Sequence, residues 1–470
     1  MLTVLENCRV SPPPSTVGDK SLPLTFFDAI WLLFFPISQV FFYELPHPKS
    51  YFLETIVPKL KHSLSITLQH FFPFAGNLIV IPNPNRCFNG KKPEIRHVEG
   101  DSVALTFAEY ELDFNELTGN HTRECHKFYP LIPLLGQPSK VYNYVTIPLF
   151  SLQVTLFPNK GIAIGLTNHH RLCDASTRFN FLKAWTSIAK HGTDELFLAS
   201  GSLPFYERVI EYPESLDEIY FNQPGIETID EGYKIPHLVG GTDKARATLV
   251  LTQAHINRLK KWLSTQSPTL EYVSSFSVAC AYVWSCIAKA RARTGEQKGE
   301  NDNDGDDDLE RFIFPVDWRS RIHPPLPPTY FGNCLGPCIT TLTKRSLLAG
   351  NKGFQTAAEL VGKALSETLK TKDALLKDAD TWLERAYEPV LMIGVSGTPK
   401  MKVYDIDFGW GKPKKHETPS IDYNGSISVN ASKDSAGDIE IGISLPTKQM
   451  DAFISISRSE LESTFYDQDE

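Results

Sequence analysis

Two apolar runs in mid-chain, Phe150-Ser-Leu-Gln-Val-Thr-Leu-Phe157 and Gly161-Ile-Ala-Ile-Gly-Leu-Thr167, are separated only by Pro158-Asn-Lys160 and predict a β-hairpin. Its second strand delivers the chain to Asn168-His169-His170, so two imidazoles stand where an apolar strand leaves the core. A helix is predicted next, over 174–190, with Phe179, Leu182, Trp185 and Ile188 on its apolar side. Upstream, Phe52, Ile56, Leu60, Leu64 and Leu68 recur every four positions and predict an amphipathic helix over 51–70, stopped by Pro73 and Gly76.

A chain of 470 residues exceeds what one core usually holds and points to two or three domains, with their interface as a natural ligand pocket. Residues 196–245 are rich in Pro, Gly, Tyr and acids without a sustained period, which suits a crossover between an N-terminal domain, 1–195, and a C-terminal domain, 246–470. The second half restarts with a strand at 247–251, a basic helix over 255–264 and an apolar helix over 274–290. A strand at 312–316, a helix over 354–371, strands at 426–431 and 438–444 and a last helix from Thr447 follow. Strands and helices mix without regular alternation, so the expected class is α/β with mixed sheets.

Several function classes fall away. A net charge of −8 with no concentrated Lys/Arg stripe argues against nucleic acid as a partner. The apolar stretch 26–35 is interrupted by Asp28 and ended by Pro36, too short to span a membrane, and is expected to be buried. The opening residues lack a basic start followed by an apolar stretch, so the expected location is cytoplasmic. Eight scattered cysteines read as free thiols, and Cys334 and Cys338 lack a second ligand pair, so no metal site is expected. The run 299–310 carries seven acids, but an EF-hand register with Gly305 in sixth place puts Arg311 where a bidentate carboxylate is required; a solvated loop is expected. Neither a G-x-S-x-G elbow, a phosphate-binding P-loop, an H-E-x-x-H pair nor a dinucleotide fingerprint is present.

Three clusters remain. In His169-His170-Arg171-Leu172-Cys173-Asp174, a rigidly held neutral imidazole can accept a proton near neutral pH, though two histidines and an Asp are by themselves as consistent with a structural origin. Asp407-Phe408-Gly409-Trp410-Gly411 reads as a tight structural turn, its glycines permitting the backbone path while the indole packs. Tyr330-Phe331-Gly332-Asn333-Cys334 is an aromatic loop with no purpose evident from its residues.

Together and in this order, the clusters resemble those of the plant BAHD acyltransferases, which carry H-x-x-x-D in mid-chain and D-F-G-W-G near the C-terminus. The Y-F-G-N-C loop and Leu22-Pro-Leu-Thr-Phe-Phe-Asp28 are similar to the branch acting on anthocyanins and other flavonoid or phenolic glucosides. Ala175 stands where the family often has Gly, with little consequence expected from so small a side chain.

The resemblance implies two similar-sized domains with a channel between them, and a monomer that uses acyl-CoA as co-substrate and binds no permanent cofactor. It implies His170 as the general base, selected over His169 by the H-x-x-x-D spacing, and Asp174 as structural support paired with Arg319. Asp407, Phe408, Gly409, Trp410 and Gly411 are expected to be structural. Arg258, Lys260 and Lys261 form the best basic cluster for the phosphates of coenzyme A, with Ser274 and Ser275 just beyond; a solvated helix face is the competing reading. A malonyl donor would need a cation, for which Arg178 or Arg171 is placed, whereas a coumaroyl donor would need an apolar slot. Thr398 and Tyr330 are expected to border the acyl or acceptor pocket. The expected reaction is transfer of an acyl group, malonyl or hydroxycinnamoyl, to a sugar hydroxyl of a phenolic glucoside. A non-catalytic protein binding a phenolic ligand is the alternative of another class.

Overall fold

Strands Phe150–Phe157 and Gly161–Asn168 form the predicted hairpin, antiparallel from Phe150 opposite Asn168 to Phe157 opposite Gly161. The computed structural model describes residues 1–81, 92–230, 232–271, 273–295, 309–369, 376 and 378–463; Cys87 and most of the acidic run 299–310 lie outside them. Asn159 closes the turn with φ of 58°, a left-handed conformation that Asn tolerates. Every residue of both strands is buried, which fits their place in the middle of a six-stranded sheet. Its order is Leu2–Val10, Val103–Tyr110, Phe150–Phe157, Gly161–Asn168, Ile37–Glu44 and Lys415–Glu417. Only the pairing of Phe150–Phe157 with Val103–Tyr110 is parallel, so the sheet is mixed.

Helix Val57–His70 covers part of the predicted 51–70 span, and Phe52, Ile56, Leu60, Leu64 and Leu68 are all buried. The turn before it, Phe52–Ile56, is a π-helix. Pro58 explains the widening: it has no N–H to offer, and its ring crowds the carbonyl one turn back. Helix Ala175–His191 matches its prediction and ends at Gly192, whose φ of 80° provides a left-handed stop.

A second mixed sheet runs Leu335–Ile339, Leu309–Asp317, Leu391–Ser396, Ile427–Ala431, Ile439–Pro446, Lys244–Leu251 and Arg123–Glu124, with Thr343–Lys344 beside Leu309–Asp317. A smaller five-stranded sheet contains Lys20–Pro23, Glu94–His97, Asn77–Val80, Tyr144–Pro148 and Ser139–Val141. Helices Gln253–Gln266, Ser275–Thr294, Gly353–Leu369 and Thr447–Ser463 account for the helices expected in the second half. Among the described residues, no helix is long and apolar enough to cross a membrane.

Chain order and packing part company at two places. Arg123–Glu124 joins the second sheet, and Lys415–Glu417 joins the first. The segment bearing Val403, Tyr404, Ile406 and Phe408, although late in the sequence, packs into the core built around Trp185. Buried charges line this exchange. Glu417 receives Arg123 at 2.7 Å and lies 3.6 Å from Arg246, which also meets Asp422 at 3.2 Å. Burying these ions is costly unless each keeps its partner, so the network fixes the register of a crossing that carries little hydrophobic pattern of its own.

Candidate active site

The strand Gly161–Asn168 ends directly beneath the paired imidazoles. His169 is fully buried, its backbone N–H donates to the Leu149 carbonyl at 2.9 Å, and neither ring nitrogen has a hydrogen-bond partner among the described residues. Burial first, and then the Arg171 guanidinium, hold its pKa well below the ordinary histidine range. His170 keeps partial exposure. Its ring stacks on Trp31 at 3.8 Å and meets Phe34 edge-on at 5.7 Å. Burial and the nearby Arg178 lower its pKa to about 3, so the imidazole is neutral and able to accept a proton at neutral pH.

Asp174 serves the backbone. It caps helix Ala175–His191 by accepting the Thr177 N–H at 3.0 Å, accepts the Cys334 N–H at 3.2 Å, and pairs with Arg319 at 2.8 Å. Arg319 also donates to the carbonyls of Gly332 and Tyr330, at 3.1 and 3.3 Å. Burial pushes the Cys173 thiol well above the ordinary cysteine range, so it does not present a thiolate nucleophile.

One turn beyond Asp174, Arg178 is 5% exposed. Its Nε donates to Gln39 Oε1 and its Nη1 to Asn168 Oδ1, both at 3.1 Å, and no carboxylate pairs with it among the described residues. Buried His416, likewise brought down to about 3 by burial with Arg178 among the opposing charges, stands nearby. Arg178 is thus a fixed cation held by neutral amides, with the Asp174 carboxylate, itself paired with Arg319, acting on it through space. Arg171 points elsewhere, with its guanidinium 5.9 Å from the Tyr233 ring.

The Asp407–Gly411 turn packs on the same helix from behind. Asp407 accepts the N–H groups of Gly409 and Gly411 at 2.8 and 2.9 Å and pairs with Lys190 at 2.8 Å. Phe408 meets Trp185 edge-on at 4.9 Å and stacks on Trp410 at 5.3 Å. Gly409 and Gly411 have φ of 100° and 104°, which L side chains rarely adopt.

The remaining sequence candidates divide. Lys260 donates to Ser275 Oγ at 3.0 Å, and Ser274 caps the helix Ser275–Thr294, while Arg258 and Lys261 are exposed. The expected basic cluster therefore splits over two faces of helix Gln253–Gln266, because positions two apart on a helix diverge. Thr398 closes a local turn, its carbonyl accepting the Met401 N–H at 3.0 Å. Tyr330, expected at a pocket, is fully buried between Arg208 and Arg319, whose guanidiniums lie 5.2 and 5.7 Å from its ring; its carbonyl supports the motif instead. Trp31, Gln39, Asn168 and Asn333 are site residues that sequence reasoning did not single out. Among the described residues, no group of three or more His, Cys, Asp or Glu side chains could hold a metal ion.

A family model described as Transferase matches residues 1–458. The chain belongs to the Transferase family. It is 55% identical to the malonyl-coenzyme A:anthocyanin 3-O-glucoside-6''-O-malonyltransferase of Dahlia pinnata, over 98% of each chain. It is 40% identical to phenolic glucoside malonyltransferase 1 of Nicotiana tabacum, over 91% of this chain and 92% of that one. It is 35% identical to coumaroyl-CoA:anthocyanidin 3-O-glucoside-6''-O-coumaroyltransferase 1 of Arabidopsis thaliana, over 96% of each. Vinorine synthase shares its fold with a TM-score of 0.67 at 21% identity, covering 97% of this chain and 98% of that one. The BAHD resemblance and the mixed α/β class both hold, and this member of the Transferase family is an acyltransferase.

Proposed function

We propose that the protein moves a malonyl group from malonyl-CoA to a sugar hydroxyl of an anthocyanin or related phenolic glucoside, with His170 as general base. The observation that carries this reading is Arg178, a buried guanidinium fixed by Gln39 and Asn168 and lacking a carboxylate partner among the described residues. A free carboxylate on the donor would satisfy it. The names of the Dahlia and tobacco relatives add independent support.

His170 Nε2 takes the hydroxyl proton as the sugar oxygen attacks the thioester carbonyl. The tetrahedral oxyanion then collapses, the C–S bond breaks, and the imidazolium returns the proton to the departing coenzyme A sulfur. Lys260, with Ser275 at the start of a long helix, is the proposed anchor for coenzyme A phosphate, and Arg258 and Lys261 add screening charge. Asp174 and Arg319 hold the motif, the Asp407–Gly411 turn backs its helix, and the reaction lies in the channel between the two halves.

The test is a donor panel of malonyl-, acetyl- and coumaroyl-CoA against one anthocyanidin glucoside, read by product mass. Malonyl transfer should dominate and His170→Ala should abolish it. Arg178→Leu should cut malonyl-CoA kcat/KM by about 30-fold or more, the consequence of losing about 2 kcal/mol from a buried charge pair, while sparing acetyl transfer. Preference for coumaroyl-CoA would overturn the donor assignment.

A further inference from the structure

Two segments supply no reacting or binding group to the scheme above: the N-terminal Leu22–Asp28 stretch and the Tyr330–Cys334 loop. They meet at one pair of residues. Asp28 is 1% exposed, and its Oδ2 accepts both the N–H and the hydroxyl of Thr25 at 3.0 Å, which locks its rotamer. Arg208, 4.0 Å away, balances its charge. Asp28 Oδ1 accepts from the Asn333 backbone N–H at 2.9 Å and from Asn333 Nδ2 at 3.0 Å.

Asn333 Nδ2 also donates to the His170 carbonyl at 3.0 Å. Both amide protons are therefore used, on a carboxylate and a carbonyl. Turning the amide over would set its oxygen against two acceptors, so the orientation is determined by chemistry. Asn333 Oδ1 is then left buried without a partner, and so is His170 Nδ1. Trp31, one turn beyond Asp28, fixes the ring plane from the same segment.

We infer that Asp28 is a positioning residue for the general base: its carboxylate fixes the Asn333 amide, whose Nδ2 holds the His170 carbonyl, so that the imidazole keeps its place against Trp31. The inference rests on the proposal that His170 is the base, and the experiment separates the two.

Steady-state transfer from malonyl-CoA to an anthocyanidin glucoside is measured for Asp28→Asn, Asn333→Ala and the double variant, with His170→Gln as the control and melting temperatures alongside. Asp28→Asn should lower kcat by about 10- to 100-fold with both KM values within about twofold, and the double variant should be no slower than Asn333→Ala alone. A folded Asp28→Asn with unchanged kcat, or losses that multiply, means Asp28 does not act through Asn333. Where Asp28→Asn fails to fold, Asn333→Ala decides, and an unchanged kcat in it overturns the inference. If His170→Gln keeps turnover, it is the base assignment that fails, whereas an inactive His170→Gln beside a fully active Asp28→Asn rejects only the positioning role.

Discussion

Asp174 and Arg319 form an ion pair at 2.8 Å, with side chains 0% and 4% exposed, across the join between the His170–Asp174 segment and the Tyr330–Cys334 loop. The remaining contacts of the carboxylate are the backbone N–H groups of Thr177 and Cys334. Removing it leaves the buried Arg319 with the half-exposed Asp317 at 3.2 Å and two carbonyls, and frees two backbone N–H groups, so Asp174→Ala should lose about 3 kcal/mol of stability and yield less folded protein. Urea unfolding checks this. A variant as stable as the parent but without turnover would assign Asp174 to the chemistry instead.

The Asp407 turn should behave as structure alone. Asp407→Ala frees two backbone N–H groups and Lys190, and should cost about 1–3 kcal/mol. Gly411→Ala meets no atom within 4 Å, so its cost is backbone strain at φ of 104°, about 1 kcal/mol or more. Both variants should melt earlier yet keep kcat and KM well below the transition. A selective rise in KM for the donor would show that the turn shapes the site directly.

The parts of the fold legible in the sequence are those written as local periodicity: the hairpin ending at Asn168, the four-residue repeat through Leu68 and the helix behind Asp174. His170 and Asp174 were legible because their spacing is a motif. Their supports were not. Asn333 reaches His170 across 163 positions and Gln39 reaches Arg178 across 139, and nothing local to either residue marks such a bond. The crossing at Lys415-His416-Glu417 was hidden for a different reason. Three polar residues do not read as a buried strand, and only the opposing charges of Arg123, Arg246 and Glu440 let them be one.

Acid should destabilise the protein before its carboxylates titrate. His169 and His416 are buried and neutral in the fold, with pKa values well below normal and about 3, respectively. Unfolded histidine takes up its proton near pH 6.5, so as pH falls below that value the unfolded state binds protons that the native state refuses. Stability is therefore full above about pH 6.5 and declines as pH falls, by about 2 kcal/mol at pH 5 from His416 alone, with His169 acting in the same direction. Unfolding free energies at pH 7 and pH 5 measure it, and His416→Phe should flatten the fall. An unchanged slope in that variant would show that His416 is not held neutral.

The donor itself should alter the base. After burial, the positive charge of Arg178 is the second cause lowering His170, and in the proposed complex the malonyl carboxylate lies against that charge. Neutralising it removes one of the two opponents of protonation, so His170 becomes more basic when malonyl-CoA is bound. The sign follows from the role: a general base works only when unprotonated, so a higher pKa moves the acid limb of kcat to higher pH. That limb should stand at higher pH with malonyl-CoA than with acetyl-CoA, which carries no carboxylate, and kcat is the parameter to compare because the ionisation of the free donor enters only kcat/KM. In Arg178→Leu the two donors should give coincident limbs. Coincidence already in the wild-type enzyme would place the malonyl carboxylate somewhere other than Arg178.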